Sequence, residues 1–160
     1  MKAIWSACVA LSFSVAPMVV QGQQYFSLGY ASSATKEQGR EAGYTLNYGH
    51  NYSDTFGGLL VSNEWQLASI GKQRAYTTQS IANNTRLTLP ITSNVNLSFL
   101  VGINYFLQKS PEDTENKFGF SYGGDLGIQL SDNISIVAGY KIYEAKSNIS
   151  SVYSEIQYWF

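Results

Sequence analysis

The sequence predicts an all-β chain, an eight-stranded antiparallel up-and-down transmembrane β-barrel, and three observations carry that reading. Beyond the first twenty or so residues nearly every apolar stretch alternates with a period of two, and no segment sustains a helical period. Charged residues make up only 13% of the 160 residues while aromatics reach 14%, against roughly 25% charged in ordinary soluble domains. The apolar side of the best strands is continuous, whereas the other side is Gly, Ser, Asn and Thr with few charges. A soluble β-sandwich or lipocalin-like barrel would put its polar face in water and load it with charge. A face this small and neutral suits a crowded lumen, with the apolar face turned to lipid.

The length fits one domain, and residues 1–22 are expected to be a cleaved export signal. Met1-Lys2 gives a small positive start, the stretch 4–20 is apolar with Ser interruptions, and Val20-Gln21-Gly22 offers tolerated residues around a cleavage site. A spanning anchor is the alternative, but Ser6, Ser12, Ser14 and Pro17 interrupt a segment shorter than the roughly 20 residues a helix needs to cross a bilayer. The sole cysteine, Cys8, lies inside this segment, so the mature chain 23–160 is expected to lack disulfides and thiolate chemistry.

The strands follow in order. The stretches 25–32, 42–50, 56–65 and 76–89 are the first four candidates; the third is the least defined, because Leu59, Leu60 and Val61 run together and declare no face. Strand five sets Val95, Leu97, Phe99, Val101, Ile103 and Tyr105 opposite Asn96, Ser98, Gly102 and Asn104. Strand six sets Phe118, Phe120, Tyr122, Leu126, Ile128 and Leu130 opposite Gly119, Ser121, Gly123, Asp125, Gly127 and Gln129. Strand seven sets Ile134, Ile136, Ala138, Tyr140 and Ile142 opposite Ser135, Gly139 and Lys141, and 150–160 closes the chain. Its ending Tyr158-Trp159-Phe160 matches the carboxy-terminal assembly signal of outer-membrane barrels, with Tyr158 and Phe160 as its carriers and the barrel assembly machinery as the implied partner.

The connections alternate in length. Short, Asn/Asp/Ser/Thr-rich turns are expected at 51–55, 91–94 and 131–133, and longer loops at 33–41, 66–75, 107–117 and 144–149. Short turns on the side of the termini and longer loops on the other are the barrel pattern, with the termini in the periplasm and the chain multi-pass in the cell outer membrane of a Gram-negative bacterium. Most charges, Glu64 among them, fall at or beside the long connections. Arg86, Asp125, Lys141 and Glu155 lie in mid-strand, and parity turns all four inward, since a basic residue facing lipid costs about 2–4 kcal/mol at the midplane. Hairpin pairing is expected to bring Asp125 near Lys141, and Lys141 near Glu155, as a salt-bridged plug. The aromatics Tyr25, Tyr30, Tyr44, Tyr48, Phe56, Trp65, Tyr105 and Tyr140 read as interfacial girdles.

Catalytic chemistry has little to stand on. The only histidine, His50, precedes a short turn beside Ser53 and Asp54 and forms no usable triad by spacing, so no catalytic residues are assigned. With one His, no mature Cys and an acidic run Glu112-Asp113-Thr114-Glu115 that lacks the alternation of a calcium loop, no metal or cofactor is expected. The formal charge of −1 removes the basic footprint of a nucleic-acid binder. A carbohydrate contact at Trp65 is the one minor alternative for the aromatics.

The chain also resembles the Ail/OmpX/Lom family of eight-stranded outer-membrane proteins. The resemblance rests on Ser27-Leu28-Gly29-Tyr30-Ala31, Gly43-Tyr44-Thr45-Leu46-Asn47-Tyr48, Phe56-Gly57-Gly58, Val95-Asn96-Leu97-Ser98-Phe99-Leu100-Val101-Gly102, Phe120-Ser121-Tyr122-Gly123 with Ile128-Gln129-Leu130, and Asp132-Asn133-Ile134 leading to Val137-Ala138-Gly139-Tyr140. It departs from the family at Arg86-Leu87-Thr88-Leu89, where Gly-Pro-Ala-Tyr is usual, and at Asn47 and Gly49, where basic residues are frequent. The resemblance implies lipid and lipopolysaccharide as surroundings and a host-surface or matrix protein as a partner, in an adhesion, invasion or serum-resistance role. Lys72, Arg74, Lys109, Glu112, Asp113 and Glu115 are the candidate loop contacts. The alternative is a structural or stress-related envelope protein with no specific ligand.

Overall fold

The computed structural model describes residues 23–35, 38–56, 59–73, 76–109, 114–144 and 148–160, and the expected export signal at 1–22 lies outside the described residues. Eight strands run in chain order: β1 (Gln24–Thr35), β2 (Gln38–Phe56), β3 (Leu59–Gln73), β4 (Tyr76–Pro90), β5 (Val95–Lys109), β6 (Thr114–Ser131), β7 (Ile134–Glu144) and β8 (Asn148–Trp159). Each pairs antiparallel with its neighbour, and β1 pairs with β8, so the sheet closes on itself. Closure leaves no unpaired strand edge, which is what allows a β-sheet to cross a bilayer at all. The seam is tied at its end by reciprocal backbone bonds, Phe160 N–H to Gln24 O at 2.9 Å and Gln24 N–H to Phe160 O at 3.2 Å.

The pleat sorts the residues as the alternation requires. Leu28, Leu46, Leu67 and Ile81 follow one another across four strands in one row of the ladder, and Phe99, Val101, Ile103, Phe120, Leu126, Ile128, Ile136 and Ile156 continue an exposed apolar belt around the barrel. The inner face is Ser, Thr, Asn and Gln with a few large groups. Glycine makes room for those groups where β6 meets β7: a Cβ on Gly139 would stand 2.7 Å from the Gly124 carbonyl oxygen and 2.7 Å from the Tyr153 ring. A Cβ on Gly127 would meet nothing closer than 3.7 Å, so that glycine leaves open space where Gly139 relieves crowding.

The connections differ from expectation. The turn at 91–94 is present, closed by Ile91 N–H to Val95 O at 2.9 Å and by Thr92 Oγ1 accepting from the Val95 N–H at 3.1 Å, and Pro90 ends β4 before it. The turn at Asp132-Asn133 is also present, and Asn133 Nδ2 donates to Trp159 O at 2.9 Å. The segment 51–55 is not a turn: β2 runs through it to Phe56, with its register broken between Tyr52 and Phe56. The four long loops contract as well, because the strands continue into 33–35, 38–41, 66–73, 107–109, 114–117, 144 and 148–149. An antiparallel ladder needs only backbone partners, so a hairpin can extend past the apolar belt where the side-chain alternation fades.

Candidate functional site

The interior is filled in layers. At the end away from the termini, Ala68, Ile70, Phe106, Tyr143 and Ile149 form a buried apolar cluster, with the Phe106 and Tyr143 rings edge to face at 6.2 Å. Below it, five charged side chains sit within the barrel, namely Glu64, Arg86, Asp125, Lys141 and Glu155, all buried. Toward the termini a cavity of about 60 Å³ opens between Tyr25, Ser62, Arg86, Asp125, Gln157 and Trp159.

Arg86 is the hub. Its Nη2 meets Glu64 Oε2 at 3.0 Å and its Nη1 meets Asp125 Oδ2 at 2.9 Å. Both carboxylates are held from the other side, Glu64 by Tyr25 Oη at 2.6 Å and Asn84 Nδ2 at 3.0 Å, and Asp125 by Tyr153 Oη at 2.7 Å. Lys141 donates to Gln66 Oε1 at 2.8 Å and Asn84 Oδ1 at 2.9 Å, and its ammonium stands 5.1 Å from the Tyr143 ring centre. Glu155 accepts from Ser27 Oγ at 3.1 Å and Thr45 Oγ1 at 2.8 Å. Ions taken out of water are tolerated when paired and hydrogen-bonded in this way.

Two expectations are corrected. Among the described residues of the lumen the ion pairs are Arg86 with Glu64 and Asp125; neither Asp125 with Lys141 nor Lys141 with Glu155 is a pair. Register explains part of it: Asp125 lies opposite Gly139, and Glu155 opposite Val137. The rest follows from the narrow lumen. Lys141 on β7 reaches across to Gln66 on β3 and Asn84 on β4, so partners are found across the diameter, which hairpin register does not describe. Glu64 belongs to the interior and not to a connection. Its signal was present in the alternation Ser62, Glu64, Gln66, Ala68 against Val61, Asn63, Trp65, Leu67, masked by the apolar run that precedes it. Tyr25 is likewise buried in the lumen, tilted against Trp159 at 4.7 Å, and is no part of an outer girdle.

Of the candidate loop contacts, Lys109 ends β5 and Glu115 is the second residue of β6, both exposed, in ladder positions facing Thr114 and Gln108. Lys72 lies in β3, whereas Arg74, Glu112 and Asp113 lie outside the described residues. At the other end Tyr158 and Phe160 are exposed on the outer face, stacked with ring centres 6.5 Å apart. Among the described residues no group of three His, Cys, Asp or Glu side chains is placed to hold a metal ion.

A closed eight-stranded sheet, apolar without and polar within, defines a transmembrane β-barrel of the bacterial outer-membrane type. No protein-family model and no curated protein matches the chain. Among solved structures it is similar to Ail, the attachment invasion locus protein of Yersinia pestis, in a phospholipid bilayer nanodisc, with a TM-score of 0.60 at 18% identity over 88% of this chain and 100% of that one. Ail has also been solved in complex with the heparin analogue sucrose octasulfate, and that structure matches with a TM-score of 0.54 at 19% identity over 88% of this chain and 100% of that one. Neisserial surface protein A matches with a TM-score of 0.57 at 12% identity over 87% and 97% of the two chains. The outer-membrane enzyme PagL matches with a TM-score of 0.55 at 11% identity over 82% and 98%. The resemblance drawn from the sequence therefore extends to the fold, which surface proteins and an enzyme share.

Proposed function

We propose that the chain is a non-enzymatic integral protein of the outer membrane, with its termini in the periplasm, whose work is attachment by the hairpin ends opposite them. The observation that carries this reading is the filled interior. A lumen crossed by Arg86, Lys141, Gln66 and Phe106 offers no passage for a solute, as eight strands leave room for little beyond side chains. What remains to meet another molecule is the rim at which β5 ends on Lys109 and β6 begins beside Glu115, with Lys72, Arg74, Glu112 and Asp113 assigned to the same contact by their place in the sequence. Ail's recorded complex with a sulfated heparin analogue supports an anionic surface polysaccharide as one kind of target, which the basic members of this rim suit. Lys109 and Glu115 stand in the β5–β6 ladder, which presents those two charges on backbone that is already paired. In this reading lipid and lipopolysaccharide surround the belt, and Tyr158 and Phe160 address the chain to the assembly machinery.

Binding of expressing cells to immobilised heparin and to epithelial monolayers tests the proposal. K72A/R74A/K109A should bind about tenfold less than wild type, the loss that three surface ion pairs of about 0.5 kcal/mol each would produce. Equal binding by both, with both migrating as heat-modifiable folded barrels, would remove the attachment role and leave a structural envelope protein.

A further inference from the structure

The outer belt is not uniform. One row of the ladder runs Gln24, His50, Asn63, Thr85, each opposite the next on β1 to β4, and every member is polar. These side chains face outward, because their neighbours Tyr25, Ser62, Glu64, Asn84 and Arg86 are the buried, lumen-facing ones. Asn83 adds a further amide in the adjacent row. Asn63 Nδ2 donates to Asn83 Oδ1 at 2.9 Å, and Asn83 Nδ2 donates back to Asn63 Oδ1 at 3.0 Å. The pair does not lie at a rim. On β4 it is bracketed by Ile81 and by Leu87 and Leu89, and on β3 by Leu67 and Val61, all on the same outward parity.

Amides and a hydroxyl in hydrocarbon retain hydrogen-bonding capacity that lipid tails cannot meet. Even with the reciprocal pair formed, each carbonyl oxygen keeps a second lone pair, Asn83 keeps a second N–H, and Thr85 keeps its hydroxyl. Beside the row, Phe26, Tyr48, Trp65, Leu46, Leu67 and Ile81 line an apolar cleft of about 150 Å³. By contrast the outward face of β5 and β6 offers only Phe99, Val101, Ile103, Tyr122, Leu126 and Ile128 over the same stretch. A reciprocal pair of side-chain amides at membrane depth on β3 and β4, next to an aromatic cleft, has the features of a protein contact inside the bilayer.

We propose that the outward face of β2, β3 and β4 is an interface at which two copies of this chain associate side by side in the membrane. The occupant follows from the chemistry of the patch. An amide is donor and acceptor at once, so a surface of amides and a hydroxyl is complementary to itself. Two barrels inserted in the same orientation are related by a two-fold axis along the membrane normal, which places identical patches at equal depth. With the axis beside the Asn63–Asn83 pair, the two slanted rows cross there, and each cleft receives an apolar side chain from the other copy. A phospholipid or lipopolysaccharide would bring hydrogen-bonding groups only at headgroup depth, outside the apolar bracket of Ile81 and Leu87.

The test uses the full chain in native outer membranes. Thr85→Cys should cross-link to a dimer with a short bis-maleimide, whereas Ala138→Cys, on β7 across the ring, should remain monomeric. N63L/N83L, introduced into the Thr85→Cys chain, should abolish the dimer band while the protein still migrates as a heat-modifiable folded barrel. A more conservative N83L variant gives the same readout if the double variant fails to fold. Thr85→Cys cross-linking no better than Ala138→Cys would overturn the proposal, whether the stripe proves to be covered by lipid or by another protein. So would an unchanged dimer in the leucine variants.

Discussion

Arg86→Leu lowers the stability of the folded barrel by about 3–5 kcal/mol, the cost of breaking a buried ion pair by removing one partner. Arg86 is only 5% exposed and stands between two carboxylates, Glu64 at 3.0 Å and Asp125 at 2.9 Å. Without it these groups keep their neutral donors Tyr25, Asn84 and Tyr153, but the one buried cation left in the described lumen is Lys141, which is occupied by Gln66 and Asn84. The cavity beside Arg86 and Asp125 lets solvent reach one side of the network, which places the effect at the lower end of the range. Urea unfolding in lipid vesicles should show the midpoint falling by about 1–2 M at an ordinary slope. The triple variant E64Q/R86L/D125N, which removes the stranded charges together with the cation, should regain most of the loss. A midpoint within a few tenths of wild type for Arg86→Leu would mean that the network is decoration on a barrel held by its ladders alone.

Phe106→Ala should cost about as much, 3–5 kcal/mol, by a different route. The ring is fully buried against Ala68, Ile70, Tyr143 and Ile149, and its edge fills the space that Gly119 leaves open. Truncation removes the transfer free energy of the ring and leaves a void that a closed ladder of strands relaxes around poorly. Phe106→Leu, which keeps most of the volume, should retain most of the stability in the same unfolding experiment. Equal losses for the two variants would indicate that the outer layer is loosely packed. Together the two substitutions separate the polar middle of the plug from its apolar top.

The belt and the fold class were legible because lipid imposes one requirement on every second residue. Strands five to seven declare their faces outright, and Phe99, Val101, Ile103, Phe120 and Ile136 stand where alternation puts them. The inward turn of Arg86, Asp125, Lys141 and Glu155 follows from the same parity. What the sequence concealed was set by tertiary distance. Lys141 pairs across a narrow diameter with β3 and β4, a relation that no local spacing encodes. Glu64 was hidden by the run Leu59-Leu60-Val61, and Tyr25 by the habit of placing strand-end tyrosines outside, although its parity with Ser27 already pointed inward. Loop lengths were overestimated where polar segments continue in ladder, because backbone pairing outlasts side-chain alternation. The polar row on β1 to β4 was invisible without register, since its four members are scattered along the chain from Gln24 to Thr85.

The central claim, that the apolar faces of these strands look out to lipid and the charged faces look in, is tested most directly by nitroxide scanning along β5. Single spin labels at positions 98 to 103, in protein reconstituted into phospholipid vesicles, report their accessibility to oxygen dissolved in the bilayer. The structure predicts oscillation with a period of two, with maxima at Phe99, Val101 and Ile103 and minima at Ser98, Leu100 and Gly102. A scan without alternation, or one with its maxima at Ser98, Leu100 and Gly102, would contradict it.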